Sequence, residues 1–187
     1  VEVDRWVVAE AARLLAADPD GTPIAINVSG RHLGSETFLA DVIDPIEDYG
    51  IDPSRVLVEV TESAVLDDVG RAASYLDHLR GLGIRIAIDD FGTGYASLSY
   101  LRQLPIDIIK IDRTFTRDEE SRSLVSMVVE TARLLSLSVV AEGVEDEAQA
   151  DVLRVLGVDR LQGYHFGRPA PWASPAAGSP ANDLVDA

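Results

Sequence analysis

Residues 84–112 read IRIAIDDFGTGYASLSYLRQLPIDIIKID, and two apolar runs in this stretch decide the architecture. The first, Ile84–Asp89, alternates isoleucine with Arg85 and Ala87 and meets the adjacent carboxylates of Asp89 and Asp90. The second, Ile106–Ile111, holds Lys110, a single lysine beside fifteen arginines. Both have the length and β-branched content of strands, and both finish in polar groups. The same pattern recurs outward in Ile24–Val28, Val56–Thr61, Ser138–Glu142 and Arg160–Gln162, which carry Asn27, Glu59, Glu142 and Gln162. These polar positions lie about 20 to 32 residues apart, compatible with βα units of roughly 30 residues or a little less.

Helical periods fill the intervals. Val3, Val7, Ala11, Leu14 and Leu15 recur at helical spacing, as do Phe38, Val42, Ile46 and Tyr49. So do Ala72, Leu76 and Leu79, then Leu124, Val128, Ala132 and Leu135, and finally Ala148, Val152 and Leu156. Gly50, Gly83 and Gly157 follow such stretches, where a left-handed cap belongs. Asp67 or Asp68, Ser121 and Glu145 lie near helix starts, where oxygen acceptors or negative charge are favoured. Alternation of this kind predicts an α/β fold with a parallel sheet, and polar groups ending successive strands suit a TIM-like (β/α) barrel. In a barrel, Ile84, Ile86 and Ile88 would meet the helices while Ala87 and Asp89 look inward. Arg85 and Arg160 would enter from the opposite end.

The totals exclude several classes. At 187 residues and 47% hydrophobic content the chain can bury a core and reads as one domain. No apolar run approaches the roughly 18 residues of a membrane span, so no membrane contact is expected of this segment. Without cysteine there are no disulfides or thiolate metal ligands, which is compatible with the cytoplasm. A net charge of −16 argues against broad adhesion to DNA, RNA or anionic lipid. A small phosphorylated ligand stays open, because bound cations reverse the local sign.

Four carboxylates, two amides and one ammonium at strand ends suit divalent cations plus an anionic substrate. Asp89 and Asp90 repel each other unless cations neutralise them, and Gly92 and Gly94 permit a mobile loop over Phe91-Gly92-Thr93-Gly94-Tyr95. An ordinary acidic turn would read the same way. Glu62 and Glu145 also suit helix starts, and Asn27 suits a turn. Lys110 is hardest to explain as surface, since burying it requires acids or phosphate around it. His78 fits a helix surface, His32 a loop and His165 a turn, none of them a metal ligand. Ser97 and Ser99 lack a plausible base.

Asn27-Val28-Ser29, Glu59-Val60-Thr61-Glu62, the 86–112 stretch, VVAEGVE at 139–145 and LQGYHFGRP at 161–169 resemble the EAL-domain family of cyclic di-GMP phosphodiesterases. The resemblance covers 1–172 as an EAL-type domain and leaves 173–187 as a disordered Pro/Ala-rich tail. It implies hydrolysis of one phosphodiester of cyclic di-GMP, giving the linear dinucleotide, with two ions of Mg²⁺ or Mn²⁺. By resemblance Asn27, Glu59 and Asp89 would hold one ion, and Asp89, Asp90 and Glu142 the other. Lys110 would orient the attacking water, and Glu62 would anchor the loop that starts at Phe91. Gln162, with Glu145, would bind or support the substrate. A homodimer, upstream sensory or diguanylate-cyclase-like domains, and inhibition by Ca²⁺ are also implied.

One departure bears on activity. The Glu-Ala-Leu motif that names the family, with an Arg shortly after it, is absent. About six strands are countable where barrel closure wants about eight. The chain is therefore expected to be a fragment lacking its first strand or strands, nearly inactive beside an upstream-extended version. A catalytically incompetent dinucleotide-binding or protein-interaction module is the alternative, and an unrelated barrel hydrolase fits the loop motif less well.

Overall fold

The computed structural model describes residues 1–92, 101–116, 121–171 and 185–186. The described residues form two compact units, 1–88 with 101–106, and 89–92 with the residues from 107 onward.

The first unit opens with α1 (Glu2–Ala17), β1 (Ile24–Val28), α2 (Gly30–Leu33) and α3 (Phe38–Asp48). A 3-10 turn at Pro53–Arg55, β2 (Val56–Thr61), α4 (Glu62–Leu66) and α5 (Val69–Gly81) follow, and the unit takes the first half of β3 (Arg85–Phe91). β1 and β2 are parallel, with Asn27 and Glu59 as register partners. Phe38, Val42 and Ile46 of α3 and Ala72, Leu76 and Leu79 of α5 are buried, as their spacing predicts. On α1 the buried stripe is Val8, Ala11, Ala12 and Leu15, whereas Val3 is exposed, which turns the expected face. Val3, Trp6, Val7 and Val8 put apolar groups all round this helix, so its period does not fix its phase. Arg55 closes the end of α1 by donating to the carbonyls of Leu15, Asp18 and Gly21 at 3.2, 2.6 and 3.1 Å.

His32 is not a loop residue. It lies fully buried in α2, its Nε2 3.0 Å from Asp41 Oδ2 and its Nδ1 3.4 Å from Asp4 Oδ2. Arg5 and Thr37 also donate to Asp41, at 2.7 and 2.8 Å, and Ser29 Oγ donates to Asp4 at 2.5 Å. Burial opposes ionisation of both carboxyls. The bonds from Arg5, Thr37 and His32 to Asp41, and from Ser29 to Asp4, outweigh it and hold both below the usual carboxylate range. A depressed pKa contributes stability that is present above the unfolded value and lost as pH falls through the folded one. Melting temperature is therefore expected to drop on acidification below the usual carboxylate range, with a shallower slope for Asp41→Asn. Parallel profiles for the two proteins would remove Asp41 from the effect.

The second unit holds the end of β3, β4 (Ile108–Ile111), α6 (Arg113–Thr116) and α7 (Arg122–Leu135). β5 (Ser138–Ala141), α8 (Glu147–Leu156), β6 (Arg160–Leu161) and β7 (Val185–Asp186) complete it. β4, β5 and β6 are parallel in chain order, and β7 pairs antiparallel with β6. The rest of the 173–187 tail lies outside the described residues. α7 buries Val125, Val128, Val129 and Ala132, and α8 buries Ala150 and Leu153, while Ala148 is exposed. Each buried face is thus shifted from the expected stripe. Gly50, Gly83 and Gly157 all have positive φ, as capping requires. Asp68 and Asp146 cap α5 and α8, whereas Ser121 makes no side-chain cap bond and Glu145 precedes the cap.

Candidate active site

The site assembles in the second unit from strand register. Parallel pairing sets Lys110 opposite Val140 and Ile111 opposite Ala141, and the Glu142 N–H then donates to the Ile111 carbonyl at 3.1 Å. That register delivers the Glu142 carboxylate to the lysine. Lys110 is 4% exposed, and its Nζ lies 2.5 Å from Glu142 Oε1 and 3.2 Å from Asp89 Oδ1. Removing an ammonium from water costs several kcal/mol, and two carboxylates at this range offset that cost. The acids expected around Lys110 are present.

Asp89 and Asp90 lie near the end of β3, which runs on to the buried Phe91 rather than stopping at Asp89. Asp90 has φ 54, a left-handed conformation rare outside glycine but tolerated by Asp, and the backbone turns there. Burial pushes the Asp90 carboxyl above its usual range, and the charges of Asp89 and Asp112 add to the push. Lys110 and Arg113 pull the other way without prevailing.

Asp112 joins this group, although the sequence does not mark it as a member. Burial works against its ionisation too, but the Thr114 hydroxyl (2.6 Å) and the Thr114 and Arg113 N–H groups lower its pKa. Its one sequence signal is its place two residues after Lys110. An ionised Asp112 beside Asp90 leaves the cluster with excess negative charge.

Among the described residues, Asp89, Asp90 and Glu142 each offer a carboxylate oxygen within 4.8 Å of the other two. Asp89 Oδ1 is buried and accepts no hydrogen bond, despite its ion pair with Lys110. A hard, oxygen-only donor set with surplus negative charge fits Mg²⁺, Mn²⁺ or Ca²⁺ and disfavours metals that prefer sulfur or imidazole.

The remaining candidates are placed as follows. Gln162 is exposed after β6, its N–H donating to the Ala141 carbonyl at 2.9 Å and its carbonyl accepting from Val144 at 3.1 Å. Glu145 is exposed, and its N–H donates to Gln149 Oε1 at 2.7 Å next to the Asp146 cap. In the first unit Glu59 is buried in β2, Glu62 is buried at the head of α4, and Asn27 is exposed on β1. Thr93, Gly94 and Tyr95 of the expected loop, with Ser97 and Ser99, lie outside the described residues.

The EAL domain family model matches residues 1–169. The chain belongs to the EAL-domain family. Its expected α/β class is thereby borne out, since EAL domains are TIM-like barrels. It is 39% identical to the bifunctional diguanylate cyclase/cyclic di-GMP phosphodiesterase MucR of Pseudomonas aeruginosa, over 91% of this chain and 26% of that protein. The structure of the MucR phosphodiesterase in complex with cyclic di-GMP superimposes with a TM-score of 0.88 and 39% identity, over 91% of this chain and 78% of that one. A manganese and cyclic di-GMP complex of BlrP1 from Klebsiella pneumoniae gives a TM-score of 0.81 and 33% identity, over 90% and 44% of the two chains. The EAL-domain chain spans about a quarter of the length of the curated relatives it matches. Among the described residues no helix is long and apolar enough to cross a membrane.

Proposed function

We propose that this EAL domain hydrolyses cyclic di-GMP to the linear dinucleotide in a reaction that depends on divalent cations. The observation that carries the reading is the trio of Asp89, Asp90 and Glu142 gathered at buried Lys110, in a chain of this family. Asp89, Asp90 and Glu142 would hold Mg²⁺ or Mn²⁺. By family resemblance, two ions would bind, with Asn27 and Glu59 as further ligands. Bound cations supply a water of lowered pKa and withdraw charge from the phosphoryl oxygens.

The residues of the chain do the rest. Lys110 would orient the attacking water, its ammonium held in place by Asp89 and Glu142. The water gives up one proton as its oxygen bonds phosphorus, one ester P–O bond breaks, and the departing ribose oxygen takes up a proton. The ring thus opens with no net change in protons beyond the ionisation of the new phosphomonoester. Glu62 as the anchor of the loop after Phe91, and Gln162 and Glu145 as supporting residues, belong to the same proposal. So do a homodimer and fusion to sensory or cyclase-like domains, the latter supported by the two activities in the name of MucR.

The test is hydrolysis of cyclic di-GMP with Mn²⁺ by the 187-residue chain and by an upstream-extended version. Linear dinucleotide is expected from the extended protein, suppressed when Ca²⁺, with its looser coordination, replaces Mn²⁺. Dinucleotide binding without turnover in both proteins would instead establish a binding module.

A further inference from the structure

The four-residue turn α6 touches both carboxylate-bearing segments of the site. On one side, Thr116 Oγ1 shares its proton between the Glu142 carbonyl at 2.8 Å and the Arg113 carbonyl of its own turn at 3.0 Å, the Glu142 contact being the shorter. Gly143, at φ 68, packs so closely on Arg113 that a Cβ there would overlap the arginine's own Cβ. On the other side, a Cβ at Gly92 would lie 3.0 Å from the Phe115 ring, two residues after Asp90. α6 follows β4 directly, so one continuous piece of chain carries Lys110 and the groups that hold its acidic neighbours. Glu142 is tied to that piece three times: its carboxylate to Lys110, its N–H to Ile111 and its carbonyl to Thr116.

We propose that Thr116 is a positioning residue for the acidic site, fixing the Glu142 backbone through its hydroxyl, with Phe115 bracing the Asp90 side over Gly92. This inference rests on the reading of Asp89, Asp90 and Glu142 as a cation site. Three carboxylates repel one another, and Lys110 offsets only part of that repulsion, so backbone ties share in setting their spacing without a cation. Positioning partners one step removed from a metal typically contribute tenfold or more to affinity.

The experiment measures Mn²⁺ affinity by calorimetry, with metal-free melting temperature alongside. Thr116→Val keeps the shape and removes the donor; about tenfold weaker Mn²⁺ binding is expected. Loss of one hydrogen bond should lower the metal-free melting temperature by no more than about 6 °C. Thr116→Ser restores the hydroxyl and should restore binding, a rescue that a purely structural role would not produce. Phe115→Leu tests the other arm independently and should also weaken binding. If the wild-type chain binds no Mn²⁺, the cation-site reading fails and this inference falls with it. If the wild type binds and Thr116→Val binds equally well, or Thr116→Ser is no better than Thr116→Val, the positioning role is overturned while the cation site stands.

Discussion

Replacing Lys110 by methionine is expected to lower turnover of cyclic di-GMP by about 10²–10⁴-fold while Mn²⁺ binding survives. Methionine matches the length of the lysine stem and can occupy the same buried space. What it removes is the ammonium 2.5 Å from Glu142 and 3.2 Å from Asp89. For the cation this is a gain in net negative charge among Asp89, Asp90 and Glu142, so affinity should hold or rise. For the reaction it would be the loss of the group proposed to orient the water. The two effects have opposite signs, so calorimetry of Mn²⁺ binding and single-turnover kinetics together separate orientation from assembly. Unchanged turnover would take Lys110 out of the mechanism. Collapse of both binding and turnover would make it a structural counterion for the carboxylates.

The core of this site is legible in the sequence for a physical reason. A strand buried along its length, such as Ile108–Ile111, cannot carry an isolated charge, so Lys110 announces that acids stand beside it. Asp89 and Glu142 sit at the ends of similarly apolar runs, and strand ends are where parallel α/β sheets present side chains to ligands. Element order follows from alternation of periods 2 and 3.6, and six strands emerge near their expected places.

What the sequence conceals is phase and partnership. On α8 the apolar residues Ala148, Ala150, Val152, Leu153, Val155 and Leu156 spread too widely to choose a face, and Val155 ends up exposed while Leu153 is buried. His32 looks like a polar loop residue because the acids that meet its ring, Asp4 and Asp41, come from α1 and α3, outside its own short helix. Thr116 and Asp112 are hidden for the same reason. A hydroxyl's bond to a carbonyl in the next βα unit, or one carboxylate's push on another, leaves no periodic trace.

Asp89→Asn is expected to abolish the thermal stabilisation that Mn²⁺ gives the wild type. A ligand that binds only the folded state stabilises by RT ln(1 + [L]/Kd), about 2.7 kcal/mol at a hundredfold excess over Kd. For a domain of this size that corresponds to an upward shift of about 5–11 °C. Asn keeps the shape of Asp89 and one carbonyl oxygen but removes the negative charge, and with it the carboxylate nearest in sequence to Asp90. Metal-free stability should change little, because Glu142 stays on Lys110 and the repulsion that raises Asp90 is relieved. Asp90 would then titrate closer to the usual carboxylate range, so the variant's melting temperature should depend less on pH just above that range. The raised Asp90 pKa gives the sign. A carboxyl held protonated by the fold costs stability as pH climbs from its unfolded value to its folded one, and that cost shrinks when Asp89 loses its charge. Melting curves with and without Mn²⁺, across pH, read all three effects at once. A Mn²⁺ shift in Asp89→Asn equal to the wild type's would show that the cation binds elsewhere, and the hydrolytic reading of this cluster would go with it.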